Sequence, residues 1–192
     1  MYFHGGASGV STDQVTFVAS SKDGLDFAAS PARLASFYLR VFEHDGWFYG
    51  VGKRGNRSGI LVRSEDPTAP FEAGATIIPR LRHAAVLKRD DDEAWVLYTR
   101  IGDEPESILA ARIDLRGAWS CWRPEAGALV IAPERGYEGA EEPVEPSRPG
   151  IADGRRHELR DPAVYVEGHR TFLLYCVAGE QGIAIAELRP VS

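Results

Sequence analysis

Residues 38–49 read YLRVFEHDGWFY: a Leu-Arg pair, an apolar strand, a tight turn and an aromatic strand. The same plan returns as RLRHAAVL with AWVLY (residues 80–87 and 94–98) and as ELRDPAVY with TFLLY (residues 158–165 and 171–175). A repeat of about 40 residues with this plan is the length of one four-stranded antiparallel sheet. The three repeats therefore predict three stacked sheets of one kind.

The rest of the chain supports an all-β fold. Short runs rich in Val, Ile, Phe, Tyr and Trp alternate with clusters of Gly, Asp, Asn and Pro, and helical periodicity is absent. We expect a single partial β-propeller domain of about three and a half blades. Its predicted parts are a half blade at 1–30, blades at 31–79 and 80–133, and a last blade at 134–192 that contains a long loop at 134–157.

Composition limits the kinds of partner. The 192 residues include 22 Lys and Arg against 28 Asp and Glu, for a net charge of −6, and no polybasic stretch. This balance argues against nucleic acid as a partner, because phosphate binding requires clustered basic residues. No apolar stretch is long enough to span a membrane, and the first residues, MYFHGGASG, lack the features of a signal peptide. A cytoplasmic location is the default expectation.

Polar residues at the start of each repeat are the first candidates for a site. The innermost strands of a propeller surround one central channel, so polar groups at their starts converge there. We predict that the following residues line the channel and bind substrate or orient it: Arg40, Arg82, His83, Glu158, Arg160 and Asp161. Three arginines in matching positions favour binding of anions or hydroxyl groups. The alternative is that they pair with carboxylates and tie neighbouring blades together.

Two further carboxylates are candidates. The loop at 134–157 is polar and rich in Pro and Gly, and loops of this length often serve a site. Within it Glu138 is the preferred general acid, with a solvated acidic loop as the alternative. Glu106 follows a proline and immediately precedes a strand, which suggests a substrate-binding role, although turn chemistry also explains such residues.

No metal or other cofactor is expected. The five histidines lack the local spacing of metal ligands, although His4 and His83 could meet in the channel.

Three short sequence motifs resemble motifs of a known group of proteins. They are SKDGLDF at 21–27, YEGA at 137–140 and RDP at 160–162, and they are similar to phrases of the five-bladed β-propeller glycosidases of glycoside hydrolase families 43 and 32. The resemblance implies hydrolysis of a glycosidic bond, with Glu138 as the acid and Asp161 orienting the substrate or keeping the acid protonated. Ala140 replaces the proline of the acid motif. The Glu-Gly motif precedes the Arg-Asp-Pro motif in this chain, which is the reverse of the family 32 order. The partner base or nucleophile would come from a first blade that this chain is expected to lack.

Other functions remain open at this point. A non-catalytic carbohydrate-binding or interaction propeller would also use a channel rich in arginines. A purely structural module could instead pair with another copy through the open edge of the first blade, giving a homo-oligomer.

Overall fold

The computed structural model describes residues 1–6 and 14–189, and it confirms an all-β propeller. The first sheet contains β1 (Tyr2–Gly6), β2 (Gln14–Ser20), β3 (Ala28–Ala29) and β4 (Ala35–Ser36). The second contains β5 (Arg40–His44), β6 (Trp47–Arg54), β7 (Ser58–Ser64) and β8 (Glu72–Pro79). The third contains β9 (Leu81–Lys88), β10 (Glu93–Arg100), β11 (Ile108–Asp114) and β12 (Ala128–Ile131), and the fourth contains β13 (Arg160–Glu167), β14 (Arg170–Val177) and β15 (Gly182–Leu188). Single 3-10 turns occur at Trp119–Cys121 and Gly136–Glu138.

Tight turns set the register within the sheets. His44 pairs with Trp47 across the turn Asp45-Gly46, and both turn residues have a positive φ, 48° and 74°. A two-residue turn of this kind matches the right-handed twist of the flanking strands, and Asp-Gly is a favoured sequence for it. The hairpin of β5 and β6 then places Phe42 opposite Tyr49, with both side chains buried.

Three apolar cores join successive sheets. Val18 of the first sheet packs with Val62 of the second, while Val51 of the second packs with Val96 of the third. A third core joins the third and fourth sheets and includes Leu173. Each sheet thus buries its apolar face against its neighbour, which is the usual way for sheets to form a single domain.

The two ends of the row of sheets are not joined by a core within the described residues. On the first sheet Phe3 and Phe17 stack with ring centroids 5.6 Å apart, and both side chains are half-exposed. On the fourth sheet Tyr165, Ile183 and Ile185 are exposed. Self-association of the chain through the open edge of the first blade stays a prediction.

The number of blades differs from the expectation. The described chain forms four sheets, so the five-bladed count is wrong for it, and residues 2–36 form a sheet rather than the predicted half blade. The third-strand position of this sheet is divided between β3 and β4, which both pair with β2. Each is only two residues long, too short for an alternating pattern to show in the sequence.

Candidate functional site

The first strands of the sheets meet at the centre of the propeller. β9 lies between β5 and β13, so the three repeats bring their Leu-Arg segments side by side. β1 adds His4, whose ring lies 5.8 Å from that of Tyr38. Residues far apart in the chain therefore surround one central region.

Asp161 lies at the heart of this region. The Tyr38 hydroxyl donates a hydrogen bond of 2.8 Å to Asp161 Oδ1, and Nδ1 of His83 lies 3.1 Å from the same oxygen. The Asp161 side chain remains 31% exposed. Burial, together with the Asp161 carboxylate, raises the pKa of Tyr38, so the phenol stays a protonated donor at neutral pH. The segment before β5, the strand β9 and the strand β13 each contribute one of these three groups.

The backbone at this contact is strained on both sides. Tyr38 has a φ of 64° and Asp161 a φ of 47°. Both lie in the left-handed region, which costs residues other than Gly about 1–2 kcal/mol. The register of β13 against β14 also shifts between Arg160 and Ala163, as in a β-bulge. Bulges re-aim side chains and are common beside active sites. The strain here turns Asp161 towards Tyr38 and His83, and such strain is concentrated at functional sites.

His83 is a neutral hydrogen-bond acceptor at this site. Its Nδ1 lies 3.2 Å from the backbone nitrogen of Asp161, which donates to it. Burial, reinforced by nearby Arg82 and Lys53, lowers the pKa of His83 to about 2. The close approach of His83 to the Asp161 carboxylate is therefore not an ion pair, despite the 3.1 Å separation.

The neutrality of His83 gives a testable pH dependence. The unfolded chain takes up a proton near the ordinary pKa of 6.5, whereas the folded chain takes it up only near pH 2. Stability is therefore lost as the pH falls below 6.5, by up to about 1.4 kcal/mol per pH unit. We expect the free energy of unfolding of His83→Gln, measured with urea from pH 7 to pH 4, to fall less steeply than that of the wild type. His169→Gln, in the exposed turn before β14, is the control and should keep the wild-type slope.

Lys53 at the end of β6 also belongs to the centre. It is only 5% exposed, and its Nζ lies 5.0 Å from the centroid of the Phe37 ring. Burial, with a contribution from Arg82, lowers the pKa of Lys53 to about 8. Among the described residues no carboxylate lies within ion-pair distance of its ammonium group.

Arg40 is the one repeat arginine without a carboxylate partner in the described chain. Its guanidinium carbon lies 4.4 Å from the centroid of the Tyr38 ring, and Nη1 donates to the carbonyl oxygen of Leu39 at 3.3 Å. The residue is half-buried. Its remaining N–H groups are available to a ligand. Together, Tyr38, Arg40, Lys53, His83 and Asp161 are called the channel cluster below.

The other two repeat arginines have a different role. Nε of Arg82 donates to both carboxylate oxygens of Glu106, at 2.8 and 2.9 Å, and neither residue is appreciably exposed. Burial raises the pKa of Glu106 and outweighs the opposing attraction of Arg82. Arg160 pairs with Glu158 at 2.5 Å and with Glu180 at 2.8 Å. These groups satisfy one another, so the geometry favours the alternative in which arginines tie the structure together.

Both arginines also hold the long loop. Arg82 and Arg160 each donate to the carbonyl oxygen of Gly150, at 3.2 and 3.1 Å, and Arg82 donates to that of Arg148 as well. Arg148, Arg156, His157, Glu158 and Arg160 are among the residues that line a cavity of about 170 Å³ in this region. The cavity lies in the loop and beside Arg160, whereas no residue of the channel cluster lines it.

Glu138 is buried in the base of the loop. It is 2% exposed and ends the 3-10 turn at Gly136–Glu138. Its Oε1 accepts a hydrogen bond from the Tyr175 hydroxyl at 2.8 Å, and its Oε2 accepts from the backbone N–H groups of Glu134 and Arg135 at 2.9 and 3.0 Å. Because both oxygens are engaged internally, the geometry favours a structural role for Glu138, and a role as general acid stays a prediction.

Sequence reasoning pointed to Arg40, His83 and Asp161 but missed Tyr38, Lys53 and Cys176. Tyr38 immediately precedes the Leu-Arg pair, so its position in the repeat was an available signal. Lys53 lies just before the turn that leads to β7, where a lysine is common, so the sequence gives no signal that it is buried. Burial, with a contribution from the Asp161 carboxylate, raises the pKa of the Cys176 thiol to about 11. Only the pairing of β14 with β13 brings it there.

No group of three or more His, Cys, Asp or Glu side chains among the described residues could hold a metal ion. His4 and His83 instead contact the Tyr38 ring. No helix in the described ranges is long and apolar enough to cross a membrane.

Comparison with known proteins gives one relative by sequence. Uncharacterized protein R118 of Acanthamoeba polyphaga mimivirus is 36% identical over 206 residues, which cover 98% of this chain and 56% of R118. The chain thus spans about half the length of this curated relative. No protein-family model matches the sequence.

Solved structures share the fold at low sequence identity. An α-L-arabinofuranosidase from Lactobacillus brevis superposes with a TM-score of 0.66 at 11% identity, covering 97% of this chain and 67% of that protein. A family 43 α-L-arabinofuranosidase from Clostridium thermocellum gives 0.65 at 14% identity, covering 100% and 66%. The chain therefore has a glycosidase-like propeller fold. At these identities the likeness shows the fold alone.

Proposed function

We propose that this chain binds a carbohydrate at the centre of the propeller, with Asp161 as the main acceptor for sugar hydroxyl groups. The observation that carries the proposal is the placement of Asp161. Its carboxylate is fixed by Tyr38, lies against His83 and stays about one-third exposed. A preorganised carboxylate loses little conformational freedom when a ligand binds.

The groups around Asp161 suit a sugar. An ionised carboxylate accepts hydrogen bonds from hydroxyl groups, and the guanidinium group of Arg40 donates to hydroxyl oxygens. Tyr38 and Phe37 supply aromatic rings beside these polar groups. Ligand sites commonly combine apolar walls with a few fixed polar groups.

Hydrolysis of a glycosidic bond is the second candidate, and the glycosidase-like fold is the observation that favours it. The reaction uses two carboxyl groups about 5–10 Å apart. In the described chain, both oxygens of Glu138 are engaged internally, and Glu106 and Glu158 are held in buried ion pairs. Asp161 is thus the one predicted carboxylate in the channel cluster, and for this reason binding is proposed ahead of turnover.

The test is to measure the binding of sugars directly and to ask whether that binding depends on Asp161. Because two of the proteins with this fold are arabinofuranosidases, arabinose and arabino-oligosaccharides head a panel of sugars to be screened by NMR and titration calorimetry. We expect Asp161→Asn to weaken binding by at least about tenfold, since a charge-assisted hydrogen bond contributes about 1.5–3 kcal/mol. The control is Asp153→Asn, an exposed position in the loop, which should bind as the wild type does.

Three results would decide between the candidates. Binding that is lost in Asp161→Asn without release of reducing sugar supports a binding propeller. Release of reducing sugar that depends on Asp161 supports the hydrolase instead. Failure of every sugar in the panel to bind would contradict the proposal.

A further inference from the structure

Two cationic groups at the propeller centre lack the anion that would normally accompany them. Lys53 is 5% exposed and has no carboxylate within ion-pair distance in the described chain. Arg40, half-buried, has none either among those residues. Burying a charge without a partner is costly, so such groups usually serve a ligand or a reaction.

The repeat itself does not require a lysine at this position. In the second sheet Arg40 pairs with Val51, and Lys53 follows two residues later. In the fourth sheet Arg160 pairs with Cys176, and Ala178 follows two residues later, fully buried. An apolar side chain therefore fills the equivalent place in another blade. The buried charge of Lys53 is thus not explained by the packing of the fold.

The surroundings of His83 also show that cationic side chains are concentrated at the propeller centre. Four cationic side chains act on this neutral ring and oppose its protonation: Arg82, Lys53, Arg160 and Arg40. Arg82 and Arg160 are balanced by buried carboxylates, whereas Lys53 and Arg40 are not. Arg160 has two carboxylate partners, Glu158 and Glu180, and Asp161 is the only carboxylate of the channel cluster. The positive charge of Lys53 and Arg40 is therefore not neutralised by an ion pair among the described residues.

We infer that the channel cluster binds a sugar that carries an anionic group, a carboxylate or a phosphate, with Lys53 and Arg40 facing that group. This inference rests on the proposed carbohydrate binding and names its ligand class. The anionic group would give Lys53 and Arg40 the ion-pair partner that they lack in the described chain, while Asp161 accepts from the sugar hydroxyls. An ammonium group acts as a point charge towards either anion, and a guanidinium group can bind either through two N–H groups.

The experiment compares ligands that differ in one group. D-galactose, D-galacturonate and D-galactose 6-phosphate share one ring stereochemistry and differ at C6. Each is titrated calorimetrically into the wild type, Lys53→Met and the control Lys88→Met, which alters a lysine near the surface of β9. We expect at least one acidic sugar to bind about tenfold or more tightly than galactose, and Lys53→Met to abolish this preference. Whichever acid binds more tightly identifies a carboxylate or a phosphate as the preferred group.

The Lys53→Met variant is a suitable probe because it should fold. Its side chain is similar in size to the buried part of lysine and removes a charge that burial disfavours. Its melting temperature should equal or exceed that of the wild type. If it melts lower, Lys53→Arg, which keeps the charge, replaces it and should retain the preference for an acidic sugar.

The outcomes separate the two proposals. Equal binding of galactose and the acidic sugars would overturn the inference and leave carbohydrate binding intact. Inorganic phosphate or acetate binding as tightly as the acidic sugars would overturn sugar recognition. An acid preference that persists in Lys53→Met would remove Lys53 from the site and overturn the inference.

Discussion

Replacing Arg82 with methionine is expected to lower the free energy of unfolding by about 3–5 kcal/mol, because it leaves Glu106 buried without its counter-charge. Glu106 has no exposed surface, and both of its carboxylate oxygens accept from Arg82 Nε. The same substitution releases the loop carbonyl groups of Arg148 and Gly150. Urea unfolding followed by circular dichroism measures the loss.

Two further variants test the cause of this effect. The double variant Arg82→Met with Glu106→Leu should recover a substantial part of the lost stability, since no charge is then left unpaired. Arg116→Met removes the partner of Asp114 at an exposed pair, where solvent screening leaves only a small expected loss of stability. A loss for Arg82→Met no larger than that for Arg116→Met would contradict a buried ion pair.

Replacing Gly139 with alanine is expected to cost about 3–5 kcal/mol and to disorder the base of the long loop. Gly139 has a φ of 89°, and a Cβ atom there would lie 2.0 Å from the carbonyl oxygen of Arg156. Backbone atoms cannot move away as a flexible side chain could. Thermal unfolding and limited proteolysis of the loop measure the effect.

Gly154 offers a matched control within the same loop. Its φ of 83° is almost the same, but a Cβ atom there would meet no other atom within 4 Å. Gly154→Ala should therefore show only the conformational cost of about 1–2 kcal/mol. Equal losses for the two variants would mean that the close contact with Arg156 has no energetic role.

These two predictions concern one structural unit. The loop is held at its base by Glu138 and Gly139 and farther along by Arg82 and Arg160. The Glu-Gly phrase of the sequence therefore has a physical explanation in loop packing. The same buried network leaves Arg40 as the repeat arginine that can serve a ligand.

The sequence by itself determined the all-β propeller fold. Leu-Arg pairs followed by apolar and aromatic strands are local patterns, and strand alternation and turn chemistry depend on neighbouring residues. Those patterns also placed Arg40, His83 and Asp161 at the starts of central strands. They predicted β1 and β2 as a half blade but not β3 and β4, which are too short to show alternation.

Only the tertiary structure decided which of the repeat arginines are engaged in ion pairs with carboxylates and which is not. Arg40, Arg82 and Arg160 have the same place in the repeat, yet their partners differ. Arg82 pairs with Glu106, 24 residues away, and with the carbonyl of Gly150, 68 residues away. The Tyr38 contact with Asp161 spans 123 residues. Such partners meet only when the sheets pack, because a hydrogen bond depends on positions in space that a local pattern does not encode.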